Sequence, residues 1–178
     1  EDGIRDRSPS RGLGDVYKRQ GISLVFFFYG LVVLGNNFKD GGNNEPLYRL
    51  GLSGAFFGIL GILIATSLGA GVNLDGITVD EGYESVLNLA AGSIQTYMGI
   101  IFSIGATLLA LAVSSNKDGG LKIFAYIVAL VGVINVVVGF INILDASTWE
   151  TTFIVTPISY LIYSIWSVTL GLDLVKKS

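Results

Sequence analysis

NKDGGLKIFAYIVALVGVINVVVGFINILDASTWE, residues 116–150, sets a long apolar run between a basic entry and an acidic exit. Lys117 and Lys122 stand at its start, Asp145 and Glu150 beyond its end, and residues 123–144 carry no charge. A membrane helix needs about 20 largely apolar residues to cross about 30 Å of hydrocarbon. Residues 121–144 meet that length and read as a transmembrane span. Basic loops stay cytoplasmic, so the span is expected to run from inside to outside.

Four further runs extend the pattern in both directions. They cover residues 21–35, 50–70, 86–113 and 152–175. The loop after the first carries Lys39 and Arg49, and the loop after the second carries only acids: Asp75, Asp80, Glu81 and Glu84. Lys176 and Lys177 close the chain. The expected fold class is all-α: a polytopic transmembrane bundle of about five helices, the first truncated. The expected site is a prokaryotic cell membrane, multi-pass, with the C-terminus cytoplasmic. The two hairpins share one charge layout. Positive-inside selection explains this without an internal duplication, and no residue-level repeat supports one.

The first run spans only ~22 Å at 1.5 Å per residue, and the residues before it are polar and charged. Residues 10–20, SRGLGDVYKRQ, resemble an in-frame translation of the transposon-end primer used in sequencing libraries. Residues 1–6, EDGIRD, resemble the flow-cell adapter that precedes it. The resemblance implies that residues 1–20 are a disordered, non-native segment and that residues 21–178 form one membrane domain. The alternative is a natural basic leader. Five of the 11 bases and four of the 14 acids fall in residues 1–20, leaving six bases and ten acids. All six bases then lie on one expected face.

Composition removes several chemistries. Charged residues make up 14% of the chain, well below the roughly 25% of soluble domains. Cysteine and histidine are absent, which excludes disulfides, thiolate catalysis and the commonest general base and metal ligand. The acidic balance argues against nucleic acid as a partner. No glycine-rich phosphate loop, nucleophile elbow or zinc helix motif occurs. No catalytic residue, metal site or cofactor is expected. The acids between residues 75 and 84 match no calcium-loop spacing and read as a solvated loop.

Small residues mark the packing faces. Gly51, Gly54, Gly58 and Gly61 fall on one side of the second span, and Gly132 and Gly139 lie seven apart on the fourth. Glycine at such spacing lets helix backbones approach closely in lipid. The third span carries a comparable stripe: Gly92, Gly99, Ser103, Ala106 and Ala110. Packing inside the bundle is the plain reading, and a homo-oligomer or membrane-partner face is the sharper one. The other expected partner is the lipid bilayer itself.

Polar residues mark a second feature. Asn135 and Asn142 share a face of the fourth span, which should turn inward because an amide in hydrocarbon leaves its polar atoms unsatisfied. Gln95, Thr96 and Tyr97 lie at a similar depth on the third span. Thr156, Tyr160, Tyr163 and Ser167 follow helical spacing on the fifth. The candidate intramembrane cluster is Asn135, Asn142, Gln95, Thr96, Tyr160 and Tyr163. It could serve interhelical hydrogen bonding, bind a small polar ligand or line a passage. No charge lies in the interior of a span, whereas proton relays and ion-coupled transporters usually place one there. The leading expectation is a non-enzymatic structural or interaction protein, such as an accessory subunit. The alternative is a small transporter or channel-like protein using the asparagine face.

Local details complete the expectations. Thr78 with Glu81, and Ser147 with Glu150, have capping-box spacing. The third helix should start near Asp80, project beyond the bilayer and have a bend available at Gly92. Trp149 should lie at the outer interface and Trp166 in the packed interior. Pro157 should kink the fifth helix, or else start it. Asp173 reads as a local partner of Lys176 and Lys177.

Overall fold

The computed structural model describes residues 9–36, 44–72, 81–152 and 154–177. Helices make up nearly all of it: α1 (Pro9–Gly35), α2 (Glu45–Val72), α3 (Glu81–Ser115) and α4 (Gly119–Leu144), then a 3-10 turn (Ala146–Thr148), α5 (Trp149–Thr152) and α6 (Val155–Lys177). No strand forms among the described residues. Four stretches are long and apolar enough to cross a membrane: Glu45–Gly69, Gly82–Ser115, Gly119–Leu144 and Glu150–Lys176. The apolar helix Ile22–Gly35 is shorter. The all-α bundle expected from the apolar runs is the fold.

α3 is the spine. It has 35 residues, or about 52 Å of helix against a hydrocarbon core of about 30 Å. It runs unbroken through Gly92. The expected start near Asp80, like the Thr78 cap, the Asp75 and Asp80 carboxylates and Lys39, lies outside the described residues.

α2 packs antiparallel on α3 through its glycines. A Cβ at Gly51 would lie 2.7 Å from the Leu109 amide nitrogen, and one at Gly54 2.9 Å from Gly105 Cα. One at Gly58 would lie 2.5 Å from Phe102 Cβ, and one at Gly61 would overlap Met98. α4 takes the other side of α3. A side chain at Gly132 would meet Thr107, and one at Gly139 would meet Ile100. Between helices in lipid there is little hydrophobic driving force, so close van der Waals approach holds them. The α2 glycine face expected from the sequence is therefore covered by α3 of the same chain. Gly92 and Gly99 on α3 face open space instead.

The remaining helices close the bundle. Trp166 of α6, 2% exposed, sits in the core with Ala55, Leu109 and Tyr163, where the sequence places it. α1 leans on α2, with Phe28 and Phe56 ring centroids 5.1 Å apart. The buried Tyr48 hydroxyl donates to the Leu31 carbonyl in the last turn of α1. The α3–α4 turn is tight, with the Asn116 amide donating to Val113 O at 3.0 Å. Gly119 follows at φ 61°, the left-handed region that glycine enters without strain.

Three expectations change here. Pro157 does not kink a continuous helix. α6 begins at Val155 after a turn at Ile154, so Pro157 lies in its first turn, where its missing N–H would have had no helical partner. Ser147 is not the cap. Asp145 Oδ1 accepts from the Ser147 amide at 2.9 Å and from its hydroxyl at 2.7 Å. These bonds hold the Asp145 carboxyl below the usual carboxylate range. The helix of α1 starts at Pro9, ahead of the first apolar run. That conformation leaves the origin of residues 1–20 untouched. Asp173 reaches across the fold to the Lys117 ammonium of the α3–α4 turn, because both helix ends lie on one face of the bundle. The Trp149 side chain lies outside those described.

Candidate functional site

All six cluster residues line one cavity of about 80 Å³ between α3, α4 and α6. Gln95 and Thr96 come from α3, Asn135 and Asn142 from α4, and Tyr160 and Tyr163 from α6. Seven-residue spacing on α4 puts the two asparagines on one face, and three-residue spacing on α6 does the same for the tyrosines. Thr156 also lines the cavity, whereas Tyr97 is exposed and Ser167 lines a different cleft further along α6. The seven-residue step from Tyr160 to Ser167 keeps the face but moves about 10 Å along the helix, to the level where α1 packs.

Inside the cavity, both asparagines are hydrogen-bonded. Asn135 Nδ2 donates to Val131 O at 3.1 Å and to the Tyr163 hydroxyl at 3.3 Å. Asn142 Oδ1 accepts from the hydroxyls of Thr148 at 2.8 Å and Thr152 at 2.9 Å. Asn142 thus ties the end of α4 to the 3-10 turn and α5. Thr96 turns back on its own helix, donating to Gly92 O at 2.9 Å. Ser103 and Ser159 bond their own backbone in the same way, a common resolution for hydroxyls in helices.

Aromatic rings pack around the two tyrosines. Phe102 stacks on Tyr160 with centroids 6.3 Å apart and meets Tyr163 edge-on at 5.7 Å. Tyr160 and Tyr163 meet edge-on at 6.3 Å. The same Phe102 backbone receives Gly58 of α2, so the ring that packs on both tyrosines also sits at the α2–α3 seam. Phe102, Thr148 and Thr152 were missed in the sequence. Phe102 is one apolar residue in an apolar run. The two threonines precede α6, and their meeting with Asn142 depends on how the chain doubles back at Asp145.

The lining contains no ionisable carboxylate or ammonium, only amides, hydroxyls, phenols and apolar walls. Its volume admits water, which needs roughly 10–15 Å³ of probe space per molecule. Ligand pockets for organic molecules run to roughly 300–1,000 Å³. Next to the cavity, Trp166 Nε1 has no hydrogen-bond partner among the described residues, and the void beside that ring is about 10 Å³. Comparison with protein families, with curated proteins and with solved structures finds no match for this chain.

Proposed function

We propose that this chain is a small multi-pass membrane protein with a structural or interaction role, an accessory subunit rather than a catalyst. One observation carries the reading: the two intramembrane asparagines are spent on neighbouring hydroxyls and a backbone carbonyl. Asn135 is held by Val131 O and Tyr163, and Asn142 by Thr148 and Thr152. Such a network holds helices in register and offers little to a substrate. The outward faces are apolar instead. On α4, Ile123, Ile127, Leu130, Ile134, Val137, Ile141 and Leu144 are all exposed, a surface suited to lipid or to a partner's helix. Positive-inside bias favours a cytoplasmic basic end in a cell membrane.

A second reading, a small channel or transporter, is favoured by the cavity of about 80 Å³ beside Asn135. Cysteine accessibility separates the two. The chain has no cysteine, so Asn135→Cys gives one reporter thiol. The structural role predicts no reaction with a small membrane-impermeant thiosulfonate from either side of sealed vesicles. It also predicts that Asn135→Leu lowers thermal stability. Rapid labelling of Asn135→Cys with unchanged Asn135→Leu stability would overturn it in favour of a water-filled passage.

A further inference from the structure

The polar cavity between α3, α4 and α6 lies at a definite depth. α3 ends at Ser115, at the basic end of the bundle, and Gln95 lies 20 residues before it. That is about 30 Å of helix, one hydrocarbon thickness. Asn142, near the end of α4, and Thr156, near the start of α6, line the same cavity. Gln95 and Thr156 are exposed there. Ser103 lies eight residues further along α3, about 12 Å deeper, and Ser103 and Tyr163 are both 5% exposed. Beyond them, toward the basic end, Ala106, Leu109, Trp166 and Leu170 form apolar core. The cavity is therefore open at the acidic end of the bundle and closed at its base.

Several polar groups in the lining have no protein partner. The Gln95 amide and the Thr156 and Tyr160 hydroxyls line the cavity and meet no hydrogen-bond partner among the described residues. The Ser103 and Ser159 hydroxyls donate to their own helices, which leaves their oxygens able to accept. Polar groups left bare at this depth are costly. A cavity of about 80 Å³ has room for about five to eight waters at roughly 10–15 Å³ each, and a polar lining supplies the two to four bonds each water needs.

We propose that this cavity is a water-filled vestibule, open to the outer aqueous phase at Gln95 and Thr156 and closed at Ser103 and Tyr163. Its outward direction rests on the positive-inside orientation of the proposed function, whereas its hydration and closed base do not. Its volume, below the roughly 300–1,000 Å³ of pockets for organic molecules, keeps thiosulfonates out, so Asn135→Cys stays silent to them. Silver ion is the probe: it reacts with thiols, travels with water and is excluded by hydrocarbon. The chain has no cysteine, so Ser103→Cys in the full chain, in sealed vesicles, places one thiol at the base. Thiol left free is measured with a maleimide after denaturation. Silver at the outer face should consume it, and silver at the inner face should not. Gly99 lines the cavity and its Cβ would meet nothing within 4 Å, so adding Gly99→Leu should slow the reaction several-fold. Gly92→Leu, outside the lining, should not. Glu84→Cys, at the acidic end of α3, reports the side separately. Protection of Ser103→Cys from both faces overturns the hydration, and reaction from both faces overturns the closed base in favour of a passage. Reaction from the inner face alone, with Glu84→Cys labelled there too, overturns the outward direction together with the orientation it rests on. An unchanged rate in Gly99→Leu overturns the assignment to this cavity.

Discussion

Lys117 and Asp173 illustrate how much rests on single side chains in a chain with so few charges. Their ion pair joins the α3–α4 turn to the end of α6 across 56 residues of sequence, and the two side chains are 10% and 18% exposed. Removing one partner of a largely buried pair strands the other charge, at a cost of roughly 3–5 kcal/mol when burial is complete. Asp173→Ala should therefore destabilise the bundle by an amount near the lower end of that range. Asp173→Leu combined with Lys117→Met should recover most of the loss, because an apolar pair leaves no stranded charge. Thermal unfolding of wild type, Asp173→Leu, Lys117→Met and the double variant gives the coupling by a double-mutant cycle. A single-variant effect within about 0.5 kcal/mol, typical of a surface position, would contradict the structural role of the pair. Sequence proximity pointed Asp173 to Lys176 and Lys177. The cross-fold partner was not legible there, because it requires knowing that two helix ends share a face.

At the scale of elements, α3 organises its neighbours through glycines on their surfaces. Gly51, Gly54, Gly58 and Gly61 were legible as a face needing close approach, since their spacing alone sets it. Which helix fills that face was not legible. The answer depends on Gly105, where a Cβ would run into the α2 backbone at Gly54 and Ala55, and which falls outside the stripe read on the third span. The seam makes a sharp contrast with glycines that face open space. Gly58→Ala would place its Cβ 2.5 Å from Phe102 Cβ and should destabilise by about 1–3 kcal/mol, the usual range for overpacking. Gly92→Ala meets nothing within 4 Å and should be neutral, or stabilising by up to about 1 kcal/mol through helix propensity. Chemical or thermal unfolding in detergent checks both. Equal effects at the two positions would remove the α2–α3 seam from the account. Asn135 and Asn142 show the same division. Their shared face was legible from spacing, whereas the partners of Asn142, Thr148 and Thr152, appear only once the chain has turned at Asp145.

At the scale of the molecule, the alternation of charge along the chain becomes a separation of charge between two ends. The end of α1, the starts of α2 and α4 and the ends of α3 and α6 converge. Asn44 Nδ2 bonds Ser115 Oγ at 2.5 Å, Lys117 pairs with Asp173, and Tyr48 meets the last turn of α1. Arg49, Lys117, Lys122 and Lys176 share that end. Glu84, in the first turn of α3, and Asp145, just past the end of α4, belong to the other. The helical class was legible because run length and hydropathy suffice for it, and the end-to-end sorting because translocation disfavours bases. The most direct test of the account is the side on which each end lies. Single cysteines in place of Glu84 and Asn116, both exposed, can be labelled in intact cells with a membrane-impermeant maleimide. The account predicts that Glu84→Cys reacts from outside and that Asn116→Cys reacts only after permeabilisation. The opposite result, or equal labelling of both from outside, would contradict it.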